Sequence, residues 1–135
     1  MKIVASLVAV VCFAILVPNV ADAHKVFEKE LEKQYKNKIN ASCNTCHVAK
    51  KEKTVRNKFG DLFATEFKGK DFSKKWNEME RADQKAYEKS DMIPAFRKAL
   101  TKIKKMKPEK SEETFDQLIS TFKLDGIKEK KKKKK

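Results

Sequence analysis

Cys43-Asn44-Thr45-Cys46-His47 constrains this chain more than any other stretch: two cysteines three positions apart, with a histidine directly after. Thiols so spaced fall within one helical turn, so both can add to the vinyl groups of a single porphyrin. The next side chain then projects beneath the ring and offers an imidazole nitrogen to the iron. The spacing predicts one covalently bound haem c, with Cys43 and Cys46 as thioether anchors and His47 as the proximal iron ligand. Half of a zinc site is a competing reading, but the chain has no second ligand pair to complete one. A dithiol redox pair is another. Such pairs open a helix after a strand, and no strand pattern precedes this one.

The N-terminus agrees with the haem reading. Lys2 gives a positive start, residues 3–17 are almost wholly apolar, and Ala21-Asp22-Ala23 is a small-x-small cleavage site. Residues 1–23 thus read as a secretory signal, which places the mature protein in the periplasm or an equivalent lumenal compartment. Thioether attachment takes place on that side of the bacterial inner membrane. An uncleaved anchor is the alternative, but the apolar run is short and lacks a basic flank on its far side. Cys12 leaves with the signal, so Cys43 and Cys46 are the two cysteines of the mature chain.

Residues 24–127 suit one domain with a modest core of its own, which a buried haem would enlarge. With three glycines and three prolines in the whole chain, punctuation is sparse and helix formers dominate. The expected fold is all-α: four to five short amphipathic helices around one haem. The first covers 25–37, with Phe27, Leu31 and Tyr35 on one face, and 41–47 forms the attachment turn. Phe59, Leu62, Phe63 and Phe67 make an aromatic stripe on a helix ending near Gly69. Asp71 or Ser73 caps a helix that carries Trp76, Met79 and Tyr87 and ends near Ser90. Asp91 and Pro94 start another, lined by Ile93, Phe96, Leu100 and Ile103. Ser111 opens the last, with Phe115, Leu118, Ile119 and Phe122 on its apolar face and Gly126 as C-cap. Residues 128–135, almost all lysine, form a tail too charged to pack, hence disordered.

The net charge of +14, from 33 lysines and arginines against 19 acids, steers acidic partners toward the protein. Acidic redox proteins fit this charge, as does an anionic membrane surface reached through the lysine tail. Nucleic acid is not an expected partner of an exported haem protein.

The sixth iron position is left open by the residues. Met92, in a turn beside Pro94, and Met106, just before Lys107-Pro108, are the candidate distal ligands. His24, the first mature residue, is an outside candidate. Met79 reads as core. Tyr35 and Tyr87 are positioned by packing or by a hydrogen bond to a haem edge. Peroxidase chemistry needs a distal histidine beside an arginine, and Arg56, Arg81 and Arg97 have no such partner except His24. The expectation is an electron carrier or haem-binding subunit, not an enzyme.

With the attachment motif, Val55-Arg56-Asn57-Lys58-Phe59-Gly60 and Thr114-Phe115-Asp116-Gln117-Leu118-Ile119 carry a resemblance. Over residues 43–126 the chain resembles small exported monohaem c-type cytochromes of planctomycete-type bacteria, including the Nax-type cytochromes of anaerobic ammonium oxidisers. The resemblance implies a helical monohaem protein, sometimes in a heterodimer with a similar cytochrome, and in some members able to bind nitric oxide or carbon monoxide. Some members use a distal cysteine, which this mature chain lacks. Electron transfer through a His47-ligated haem is the first functional expectation. A gas-binding or regulatory haem subunit of a heterodimer or larger redox complex is the alternative, with whatever part of the stripe Phe59, Phe63 and Phe67 is exposed as its interface.

Overall fold

The computed structural model describes residues 22–52, 54–68 and 70–131, with side chains from residue 25 onward. Residues 1–21 of the expected signal (1–23), Gly69 at the expected helix end and residues 132–135 of the expected tail lie outside the described residues. The described chain is mostly helical, with one small two-stranded sheet. Helix α1 (Asp22–Gln34) begins ahead of the expected cleavage point, which falls in its first turn. It ends where Lys36 and Asn37 adopt left-handed backbone, φ 53° and 55°. Strand β1 (Ile39–Asn40) and a 3₁₀ turn (Cys43–Thr45) follow. Then come α2 (Lys58–Glu66), α3 (Phe72–Glu78), α4 (Arg81–Tyr87), α5 (Ile93–Ile103), α6 (Phe115–Ser120) and β2 (Lys128–Glu129).

Periodicity placed the core well in α2 and α5. Phe59 and Phe63 of α2 are buried against Phe96, Leu100 and Ile103 of α5, with Leu31, Ile39, Phe115, Ile119 and Ile127 completing the cluster. Its centre is aromatic. Phe27 stacks on Phe96 at 5.1 Å between ring centroids, and Phe96 stacks on Phe63 at 4.9 Å. A second cluster holds Phe72 and Met92 beneath Phe27, Phe67, Trp76 and Tyr87.

Several expected boundaries move. The helix from Asp71 to Ser90 breaks at Met79, whose backbone is extended, so it becomes α3 and α4. The break is held by Gln84, whose Nε2 donates to the carbonyls of Trp76 and Met79 at 3.1 and 3.2 Å. Asp71 does cap α3, accepting from the Lys74 N–H at 2.9 Å. No new helix starts at Asp91. Instead a π turn (Glu88–Met92) joins α4 to α5 without interruption. Pro94 lacks an N–H and its ring would press on the carbonyl four residues back. The widened turn just before it, closed by the Ile93 N–H on the Glu88 carbonyl, relieves that crowding.

The last helix starts at Phe115 rather than Ser111, because Thr114 and Gln117 form a reciprocal capping box. It ends at Ser120, leaving Phe122 exposed with φ 60° rather than on the apolar face. Nor is the start of the lysine tail loose: Lys128 and Glu129 pair antiparallel with Asn40 and Ile39, and the Lys130 N–H donates to the Lys38 carbonyl at 2.9 Å. Among the described residues no helix is long and apolar enough to cross a membrane.

Candidate cofactor-attachment site

The turn carrying Cys43, Cys46 and His47 is held from every side by backbone. Inside it, the N–H groups of Cys46 and His47 both donate to the Cys43 carbonyl, at 3.2 and 3.0 Å. The buried Thr45 hydroxyl accepts from the Ser42 N–H at 3.3 Å. Downstream, His47 bridges antiparallel to Arg56, and the Asn57 N–H donates to the Cys46 carbonyl at 3.0 Å.

Asn57 ties this turn to α2. Its Oδ1 caps the helix by accepting from Gly60 N–H at 3.0 Å, while its Nδ2 donates to the carbonyls of Asn44 and Thr45, each at 3.0 Å. Two glycines let the surrounding chain approach. A Cβ on Gly60 would lie 2.0 Å from the Cys46 carbonyl oxygen, and one on Gly126 would lie 2.2 Å from the Thr45 nitrogen. Gly126, expected as a helix cap, therefore serves at a crossing of backbones, with φ +75° as a second reason for glycine. Ser42 Oγ donates to its carbonyl at 3.0 Å.

The turn opens on a cavity of about 120 Å³, walled by Phe27 and Leu31 of α1, Phe96 of α5 and the motif's own Cys43, Cys46 and His47. Cys43 is exposed and Cys46 half-buried, and the Nδ1 atom of His47 is sheltered from solvent. Burial pushes the Cys46 thiol up to about 12, with the negative charge of Glu28 adding to it. Against the sequence expectation, a two-residue strand, β1, does precede the motif. Among the described residues no group of three or more His, Cys, Asp or Glu side chains gathers to hold a metal ion.

The donors suit covalent haem attachment: two thiols on one tight turn, an adjacent imidazole, and an apolar, aromatic wall. The space is tighter. Pockets enclosing drug-sized ligands run to ~300–1,000 Å³, well above this cavity. Phe27 and Leu31 of α1 form one side of it.

The distal candidates do not gather here. Met92 is fully buried in the second cluster, Met106 is exposed beyond the end of α5, and neither lines the cavity. Met79 is half-buried at the α3–α4 break. His24 lies in the first turn of α1, where only the backbone is described. Tyr35 donates to Asp116 Oδ1 at 2.7 Å and its phenol is raised by burial and by that acid, so it serves the core. Tyr87 packs on Phe72. The aromatic stripe expected as an interface is interior: Phe59 and Phe63 are buried and Phe67 half-buried.

Sequence reasoning passed over Lys25 and Glu28, which line the cavity from α1, and gave Asn57, Gly60 and Gly126 no part in holding the attachment turn. The scarcity of glycine was the available signal for the last two. Comparison with known protein families, with curated proteins and with solved structures gives no match to this chain. What the fold and the turn define is a mostly helical domain with a cysteine-pair and histidine turn facing an aromatic cavity.

Proposed function

We propose that the chain is an exported monohaem c-type cytochrome, carrying electrons between redox partners through a haem joined to Cys43 and Cys46 and ligated by His47. The observation that carries this reading is the turn itself, clamped by Asn57, Gly60 and Gly126 and opening on Phe27, Leu31 and Phe96. Bound haem would supply reversible one-electron chemistry at the iron. The chain's own contribution is to fix the imidazole beside the two thiols, so that little rearranges when charge changes. Each thioether would take its sulfur and its proton from one thiol, forming one C–S and one C–H bond across a vinyl group.

A gas-binding or regulatory haem subunit is the second reading, favoured by one observation: no methionine lines the cavity. The sixth position would then be open or weakly filled. A basic surface suits acidic redox partners in either case, and the lysine tail suits an anionic membrane. A similar cytochrome remains a partner for the second reading, by a surface other than the buried α2 stripe.

The test is an optical spectrum of protein made in a host that matures c-type haem, oxidised and reduced, with and without carbon monoxide. A pyridine haemochrome with two thioethers is expected, falling to one in Cys43→Ala or Cys46→Ala. Absence of covalent haem in the wild type overturns the proposal. A low-spin spectrum unmoved by carbon monoxide supports the carrier; ready carbonyl formation moves the protein to the second reading.

A further inference from the structure

The two faces of α1 border different places. Phe27, Glu28 and Leu31 face the cavity at the attachment turn, whereas Val26, Lys29, Glu30 and Lys33 form one wall of an open groove of about 660 Å³. Trp76 of α3 and the α4–π segment supply the rest. Cations line both sides at the same interval: Lys25, Lys29 and Lys33 on one helix, Arg81, Lys85 and Lys89 on the other.

The acids in the groove are already engaged. Glu30 accepts at one oxygen, Oε1, from Arg97 Nε at 2.7 Å and Gln34 Nε2 at 2.8 Å, and Glu88 accepts from Trp76 Nε1 at 3.1 Å. Lys29, Arg81, Lys85 and Lys89 make no ion pair with a described residue. Like charges four apart on one helix face weaken that helix, and both helices repeat them. The result is a concave, positive channel, a shape that focuses field on an incoming anion.

From this geometry we infer that the groove is a docking site for an acidic helical segment of a partner protein. Each row of cations extends over nine residues, eight steps of 1.5 Å or about 12 Å. A small phosphate would meet one step of either row. A helix with carboxylates at every fourth position would meet both rows along their length, laid between α1 and α4. This gives the acidic partner of the functional proposal a specific surface, on the face of α1 away from the attachment turn. The groove's chemistry holds whether or not the turn carries haem.

The experiment titrates full-length protein into a fluorescein-labelled helical peptide with glutamates at i, i+4 and i+8, read by anisotropy at low and physiological salt. The single tryptophan, Trp76, gives a local reporter through its indole N–H resonance. Saturable, salt-weakened binding that shifts this resonance is expected. The exposed pair Lys29→Glu and Lys85→Glu should weaken it about tenfold or more, with Lys29→Gln and Lys85→Gln between. Lys98→Glu on α5 with Lys105→Glu just beyond its end should change it by less than about twofold. Wild-type affinity in the groove variant overturns the inference, as does equal binding of a peptide with scrambled glutamate spacing. So does displacement by tripolyphosphate at matched charge, or groove-dependent binding to phosphatidylglycerol vesicles with none to the peptide. None of these readouts needs the haem spectrum, so this inference and the haem proposal fail separately.

Discussion

A single methyl group at position 60 would meet the Cys46 carbonyl oxygen at 2.0 Å, and that group is backbone, which cannot swing aside. Gly60→Ala is therefore expected to lower stability by about 2 kcal/mol, and Gly126→Ala by a similar or larger amount because its φ is also left-handed. Urea unfolding measures both, and haem yield should fall with them. Asn57→Asp separates two duties of one side chain. It keeps an oxygen to cap Gly60 but loses the Nδ2 donor that ties Asn44 and Thr45, so helicity should hold while amide exchange in 43–47 speeds up. Glu30 offers a pH test. Burial opposes its ionisation, but hydrogen bonds from Arg97 and Gln34, with the charge of Arg97, more than offset this and hold its carboxyl below the ordinary range. The stabilisation is full above the unfolded carboxylate value of ~4.3 and is lost as pH falls through the lowered folded value. Arg97→Gln leaves burial less opposed, so acid unfolding should begin at higher pH, a difference that Glu30→Gln abolishes.

Among the elements, α2 and α5 were legible because each buries a wide stripe whose spacing matches the helix period: Phe59 and Phe63 on one, Phe96, Leu100 and Ile103 on the other. What could not be read from periodicity was decided by groups distant in sequence or by backbone geometry. The α3–α4 break depends on Gln84 reaching back to Trp76 and Met79. The π turn before Pro94 keeps helical direction while changing phase, which a search for a fixed period reads as a new start. That phase change sends Met92 into the Phe72 cluster and away from the attachment turn. Met92→Leu is accordingly expected to cost less than about 1.5 kcal/mol and to leave the haem spectrum and carbon monoxide response unchanged. A lost methionine-to-iron band in that variant would contradict the packing. Phe27 is the key of α1, stacked on Phe96 and touching Phe67 and Phe72. Phe27→Ala should destabilise the protein by about 3 kcal/mol, measured by urea unfolding.

At the scale of the whole molecule, the attachment turn was legible as chemistry but its housing was not, because that housing comes from residues far along the chain. Cys43, Cys46 and His47 announce themselves by spacing, whereas Gly126 and Ser42 meet across 84 positions. The short β1–β2 ladder closes the same circuit and draws the first lysines of the tail into the fold. A chain ending at residue 127 should lose about 2 kcal/mol, at ~1 kcal/mol for each ladder hydrogen bond, and melt earlier. One ending at residue 131 should melt like the full chain. Closure across that span also sets an order of events. A contact so distant in sequence forms only once the chain folds, so before folding both thiols sit on a segment without that clamp.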